Sequence, residues 1–146
     1  MKFTYSNKEL EKWMVENSQL LMERGGFKAL IAEMKVAEDA GSKFVNADGY
    51  DEIHPKKGKI ETKYTSVILT GKCLRISSAG ENKRNKFDFI RIIDGVNQKI
   101  FLLPHDVYYN ETKRYGGELR WSGSYNKTDR VQVSNTKLLL KYEITE

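Results

Sequence analysis

Asp51, Glu61 and Lys63 are the side chains whose types and spacing could do chemistry in this sequence. In Ile60-Glu61-Thr62-Lys63-Tyr64, a strand period of two places Ile60, Thr62 and Tyr64 on one face and Glu61 and Lys63 on the other. A carboxylate and an ammonium then stand side by side among apolar neighbours. Asp51 lies ten residues before Glu61, on the preceding strand across a short turn. If Asp51 and Glu61 share a face, two carboxylates converge and offer oxygen ligands suited to Mg2+, with Mn2+ as a substitute, while leaving bound waters for chemistry. Lys63 would lower the pKa of an attacking water or hold a phosphate.

Register decides whether that convergence occurs, because directly opposite residues of an antiparallel pair share a face. A four-residue loop over 55–58 sets Asp51 opposite Thr62, on the wrong side from Glu61. A three-residue loop, Lys56-Lys57-Gly58, sets Asp51 opposite Lys63 and makes the site, with Gly58 supplying the positive φ such a loop requires. An odd register or a bulge is therefore expected here.

The elements that must position these residues are legible from periodicity. Ser6-Asn7-Lys8-Glu9 has the form of a capping box, and Leu10, Trp13, Met14, Leu20 and Leu21 follow at helical spacing. A helix is expected from 7 to 23, stopped by Gly25-Gly26, and a second from 27 to 40 with two apolar stripes, ending at Gly41. The period then shifts to that of strands: 43–45, 50–54 and 60–65, the last two around the turn at 55–58. Leu74-Arg75-Ile76 starts another, and Ser77 to Lys86 reads as a polar, basic loop. A hairpin of 87–93 and 99–103 turns at Asp94-Gly95. Residues 110–128 read as irregular, and Asn135 as the cap of a last helix over 136–142. The expected architecture is α/β in the mixed, α+β sense, in one domain spanning 1–146. N-terminal helices precede a central, mainly antiparallel or mixed sheet, and a C-terminal helix closes the chain.

Composition narrows the setting. No stretch approaches the roughly 18 consecutive apolar residues of a membrane helix, and Met1 to Tyr5 holds no apolar signal core. The single cysteine, Cys73, excludes an internal disulfide and a multi-cysteine zinc site and is expected as a buried small hydrophobe. An intracellular protein of a bacterial or phage kind is expected, with no membrane partner. The net charge of +5 is uneven: residues 1–50 carry seven Lys/Arg against eight Asp/Glu, and the excess of cations lies in 51–146. Such a surface suits a polyanion, since Lys and Arg at phosphates release counterions.

Asp51 and Glu61-Thr62-Lys63, preceded by a helix, resemble the PD-(D/E)XK nuclease superfamily, the restriction-endonuclease-like fold. Gly49-Tyr50-Asp51 stands where that family has Pro-Asp, with the proline missing, and Ile60-Glu61-Thr62-Lys63 is similar to its apolar-Glu-x-Lys strand. Ala32 to Glu38 is similar to the Glu-x-x-Val-Ala helix that many members place before the motif. The resemblance makes Glu33, rather than Glu38, the glutamate that completes the metal shell, although Glu38 falls inside the Phe27/Ile31/Met34 stripe. It implies a restriction-endonuclease-like core and Mg2+-dependent DNA hydrolysis. Asp51 and Glu61 would hold the metal, with the Thr62 carbonyl as a further ligand, and Lys63 would orient the water. A core strand is expected at 86–90, with Asp88 structural.

A restriction-, homing- or phage-type endonuclease is the expected function. A Holliday-junction or other structure-specific resolvase, or a non-catalytic nucleic-acid-binding module of the same fold, is the alternative. Cutting both strands from one site per chain implies a homodimer or higher homo-oligomer. Lys56, Lys57, Lys83, Arg84, Lys86, Arg120, Trp121 and Lys127, in basic or aromatic polar segments, are the expected DNA contacts. His54 reads as an exposed turn histidine, and His105 has no second metal-type ligand near it in sequence.

Overall fold

Ser6 opens the first helix, α1 (Asn7–Glu16), as a capping box: its hydroxyl accepts from the Glu9 N–H at 3.2 Å, and the Glu9 carboxylate accepts from the Ser6 N–H at 2.7 Å. Two of the N–H groups that every helix start leaves open are thereby satisfied. The computed structural model describes residues 6–19, 27–65, 74–77, 79–115, 117–121 and 130–145. The helix runs to Glu16 with Asn17 as its C-cap, residues 18–19 are helical again, and residues 20–23, the Gly25-Gly26 stop and Cys73 lie outside the described residues. The next described helix, α2 (Phe27–Asp39), puts Leu30 and Met34 against Trp13 and turns Val36 onto the sheet. Among the described residues no helix is long and apolar enough to cross a membrane.

The strands are β1 (Lys43–Ala47), β2 (Tyr50–His54), β3 (Gly58–Thr65), β4 (Leu74–Ser77), β5 (Phe89–Asp94), β6 (Lys99–Pro104), β7 (Arg114–Tyr115) and β8 (Glu118–Trp121). Five form a mixed sheet in the order β1-β2-β3-β5-β6; β4, β8 and β7 form a small antiparallel one. β3 and β5 run parallel, and the chain between them passes through β4 in the second sheet. A helix α3 (His105–Glu111) follows β6, and α4 (Arg130–Lys141) lies near the end of the chain. The fold is α+β: N-terminal helices, a central mixed sheet and a C-terminal helix.

β5 alternates between two cores. Ile90 and Ile92 join Phe101, Leu103, Tyr108, Trp121 and Leu139 on one face; Ile93 joins Ile100, Val36 of α2 and Tyr64 on the other. Since β5 is buried on both faces, its apolar run does not alternate with polar residues as an exposed strand would. Arg91 is the exception and is itself buried. Its guanidinium donates to Glu52 at 3.1 and 3.2 Å, and the same carboxylate accepts from the Thr62 hydroxyl. The network lies on the face of β3 opposite Glu61 and Lys63.

The expectation of irregular chain over 110–128 is overturned for 110–111, 114–115 and 118–121, which hold the end of α3 and the β7–β8 ribbon, while 112–113 and 117 are irregular; 116 and 122–128 lie outside the described residues. Asn135 is not a helix cap either. It is buried within α4, where its amide donates to the Lys113 and Arg120 carbonyls at 2.9 and 2.7 Å and accepts from the Lys113 N–H at 2.9 Å. A side chain that satisfies three backbone groups of the ribbon has that as its task, and α4 begins five residues earlier.

Removing one member of a buried ion pair strands the other charge in the interior. Glu52→Ala is therefore expected to lower unfolding free energy by about 3–5 kcal/mol, read from urea melts. Adding Arg91→Met should restore much of it; a loss below about 1 kcal/mol for Glu52→Ala would show that the pair does not hold the sheet.

Candidate active site

The turn between β2 and β3 is Pro55-Lys56-Lys57, three residues long, with His54 opposite Gly58, Ile53 opposite Lys59 and Glu52 opposite Ile60. Carried one step further, this register sets Asp51 opposite Glu61, not Lys63 as the Lys56–Gly58 loop would. The odd loop length nonetheless puts Asp51, Glu61 and Lys63 on one face. The His54 Nδ1 accepts from the Lys56 and Lys57 N–H groups at 3.1 and 3.2 Å, which braces the turn. Gly58 has φ +80°, and a Cβ there would collide with the Asp88 carboxylate. That carboxylate accepts from the Lys59 N–H at 2.9 Å, so Asp88 serves the junction of β3 and β5 structurally.

The Asp51 side chain is 5% exposed and accepts from the Thr62 N–H at 2.9 Å. Glu61 is 1% exposed. Its Oε1 takes the Lys63 ammonium at 2.9 Å and also that of Lys83, while its buried Oε2 finds no hydrogen-bond partner among the described residues. Burial works against the Lys63 ammonium, but the Glu61 carboxylate, with Asp51 and Glu33 beyond it, more than offsets this and raises its pKa above the ordinary lysine value. Lys63 is thus a fixed cation at neutral pH in this arrangement, suited to orienting or neutralising an anion and unsuited to taking a proton.

Glu33 is buried on α2 and lies near enough to act on Lys63 through its charge. Glu38 faces the other way: its carboxylate accepts from the Trp13 indole at 2.9 Å and pairs with Lys35 at 3.3 Å. Of the two glutamates, Glu33 is the one whose charge acts on Lys63. Among the described residues, however, no three carboxylate, histidine or cysteine side chains gather closely enough to cage a metal ion. The oxygens fit a divalent cation in a more limited sense. Asp51 and Glu61 are hard donors on adjacent strands, and an orphaned buried carboxylate oxygen is what a cation would satisfy. The Thr62 side chain is committed to Glu52 on the opposite face.

The expected DNA contacts scatter. Lys56 and Lys57 are exposed on the turn beside the site, with the Lys57 ammonium 5.4 Å from the centre of the Phe89 ring. Lys83 points into the site rather than outward. Arg84 pairs with Glu81 at 2.7 and 2.9 Å and lies over the Tyr109 ring, 4.3 Å from its centre. Lys86 is exposed, near Asp48 at 3.5 Å. Arg120 stands opposite Arg75 across the small sheet, with its guanidinium 5.8 Å from the centre of the Tyr115 ring. Lys127 lies outside the described residues. Trp121 corrects the expectation outright: it is 0% exposed, meets Phe101 edge-on at 4.7 Å, and donates to Asp94 at 2.6 Å. The alternation Glu118-Leu119-Arg120-Trp121 held that signal, with Leu119 and Trp121 pointing inward. No spacing, by contrast, relates Lys83 to Glu61.

No family model and no curated sequence matches this chain. Among solved structures, the chain is similar to a bacterial homing endonuclease, I-Ssp6803I, at 16% identity, with 82% of this chain and 95% of that chain covered and a TM-score of 0.49.

In a Trp13→Phe variant, the emission of Trp121 is expected at the short wavelengths of a buried indole and should change little with iodide or saturating DNA. Strong quenching by either would return Trp121 to the surface.

Proposed function

We propose that this protein is a metal-dependent DNA endonuclease of the PD-(D/E)XK type. The observation that carries the reading is the meeting of buried Asp51 and Glu61 with the Lys63 ammonium on one face of a hairpin, with a Glu61 oxygen that has no partner among the described residues. Asp51 and Glu61 would hold Mg2+ or Mn2+, with Glu33 behind them and the Thr62 carbonyl as a further donor. When bound, the cation supplies a polarised phosphodiester and a water of lowered pKa. The protein's own residues do the rest. The Thr62 N–H fixes the Asp51 carboxylate, and Lys63 donates to a non-bridging phosphate oxygen or to the attacking water. The water oxygen forms its bond to phosphorus as the bond to the 3′ oxygen breaks. The leaving 3′ oxygen takes up one proton by way of solvent and the attacking water gives up its protons to solvent, so the products are a 5′-phosphate and a 3′-hydroxyl. Basic residues beside the site, Lys56 and Lys57 among them, would bind the flanking phosphates. One such site per chain would need a homodimer to cut both strands.

Wild-type protein is expected to nick supercoiled plasmid with Mg2+ or Mn2+ and to be inert in EDTA. Lys63→Ala should slow cleavage by about 100- to 1000-fold, the usual cost of losing one preorganised charge stabiliser, while retaining DNA binding. Wild-type protein that binds DNA yet leaves supercoiled, linear, single-stranded and branched DNA uncut with every divalent cation would replace the enzyme with a binding module.

A further inference from the structure

The Glu61 carboxylate receives two ammonium groups on one oxygen, and only Lys63 comes from its own strand. Lys83 arrives from a 3-10 turn, Glu81–Lys83, that is firmly pinned. The Tyr108 and Tyr109 hydroxyls of α3 donate to the Ala79 and Gly80 carbonyls at 3.0 and 2.9 Å, and the Asn85 N–H donates to His105 Nε2 at 2.9 Å. Arg84 closes the turn through Glu81 and the Tyr109 ring. The backbone around Lys83 is thus fixed on α3 while its long side chain reaches across to β3.

Exposure separates this contact from a simple staple. The Glu61 side chain is 1% exposed, whereas those of Lys63 and Lys83 are 22% and 29% exposed. Two ammoniums therefore form the outer rim over a buried carboxylate, and an approaching ligand meets positive charge first. A divalent cation at the open Glu61 Oε2 would stand beside the Lys83 ammonium on Oε1, so the two would repel and compete for the charge of one carboxylate. A phosphate diester, in turn, is the anion to which a displaced ammonium on this rim would turn.

Resting on the endonuclease reading above, we infer that Lys83 is a second catalytic cation with two successive partners. It neutralises Glu61 before a divalent cation is bound and moves to a substrate phosphate oxygen once Glu61 is engaged. The flexible lysine stem on a rigid turn allows that exchange without a backbone change. Because the two partners are linked, cation binding and DNA binding must be coupled through Lys83, each strengthening the other.

The test uses Lys83→Met, which keeps the stem and removes the charge, with a thermal melt confirming the fold. Ca2+ affinity, measured by calorimetry on protein without DNA, is expected to rise about fivefold or more because a competing charge has gone. Affinity for a duplex oligonucleotide should be little changed in EDTA. In Ca2+ it should fall several-fold, with the salt dependence shallower by about one phosphate contact. Mg2+-dependent cleavage should slow despite the tighter cation binding. An ion pair that only pins the turn would instead leave Ca2+ affinity unchanged or lower it, and would alter DNA affinity equally in EDTA and Ca2+; either result overturns the inference. Wild-type protein that cleaves DNA with Mg2+ alongside such a variant removes the role of Lys83 alone. Wild-type protein that binds no divalent cation overturns the endonuclease reading, and the inference with it.

Discussion

Thr62 is bonded on both sides of the sheet, and the geometry of the candidate site depends on it. Its N–H donates to Asp51, and its hydroxyl donates to Glu52 in the buried pair with Arg91. The residue between Glu61 and Lys63 thereby locks β2 to β3, and β5 locks behind both through Arg91. A slip of one residue along the hairpin would reverse every side chain. Glu61 would turn toward the α2 side, and Glu52 would leave Arg91 as a lone buried charge. A hydrophobic pair could stabilise the same interior as well or better. It would not penalise the wrong register so steeply, and register is what brings Asp51 and Glu61 to one face.

The same reasoning explains why the site tolerates its charges. Asp51, Glu61 and Glu33 are all buried and all act on Lys63 through their charge, and buried carboxylates need such a cation. Lys63 and Lys83 answer that need at Glu61, and the raised pKa of Lys63 reflects it. The balance is still incomplete, since one Glu61 oxygen has no partner among the described residues. A protein selected only for stability would fill or replace that oxygen, because unpaired buried acceptors cost about 1–3 kcal/mol.

Local pattern made much of this legible in the sequence. The Ser6 cap, the strand period at 60–65, the Asp94-Gly95 turn and the same-face pair of Glu61 and Lys63 each depend on residues a few positions apart. The odd hairpin register was also within reach, though its turn sits one residue earlier than the φ of Gly58 suggested. What sequence did not reveal depends on distant contacts. Asn135 resembles a helix cap until the ribbon that it bonds is in place, and Trp121 resembles a surface aromatic until Phe101 and Asp94 enclose it. Lys83 reads as one cation among several in a polar loop. Only the parallel pairing of β3 with β5 brings its turn to Glu61, and a parallel pair leaves no local turn signal.

That parallel pairing also fixes how the basic segments enter the sheet. The N-terminal ends of β3 and β5 lie together, tied by Asp88 through its carboxylate on the Lys59 N–H and its own N–H on the Lys59 carbonyl at 2.8 Å. The turn carrying Lys56 and Lys57 leads into one of these ends, and the segment carrying Lys83, Arg84 and Lys86 leads into the other. Of the cations in these two segments, Lys83 reaches Glu61, Lys86 lies against Asp48 and Gly49 at the other end of β2, and Arg84 is held by Glu81 and the Tyr109 ring. Basic residues spread evenly over a surface would serve solubility alone. Lys63 and Lys83, set on the buried Glu61 carboxylate, place positive charge where an anion would otherwise be repelled. The endonuclease proposed above would need both at once, with acids to hold a cation and bases to hold the strand.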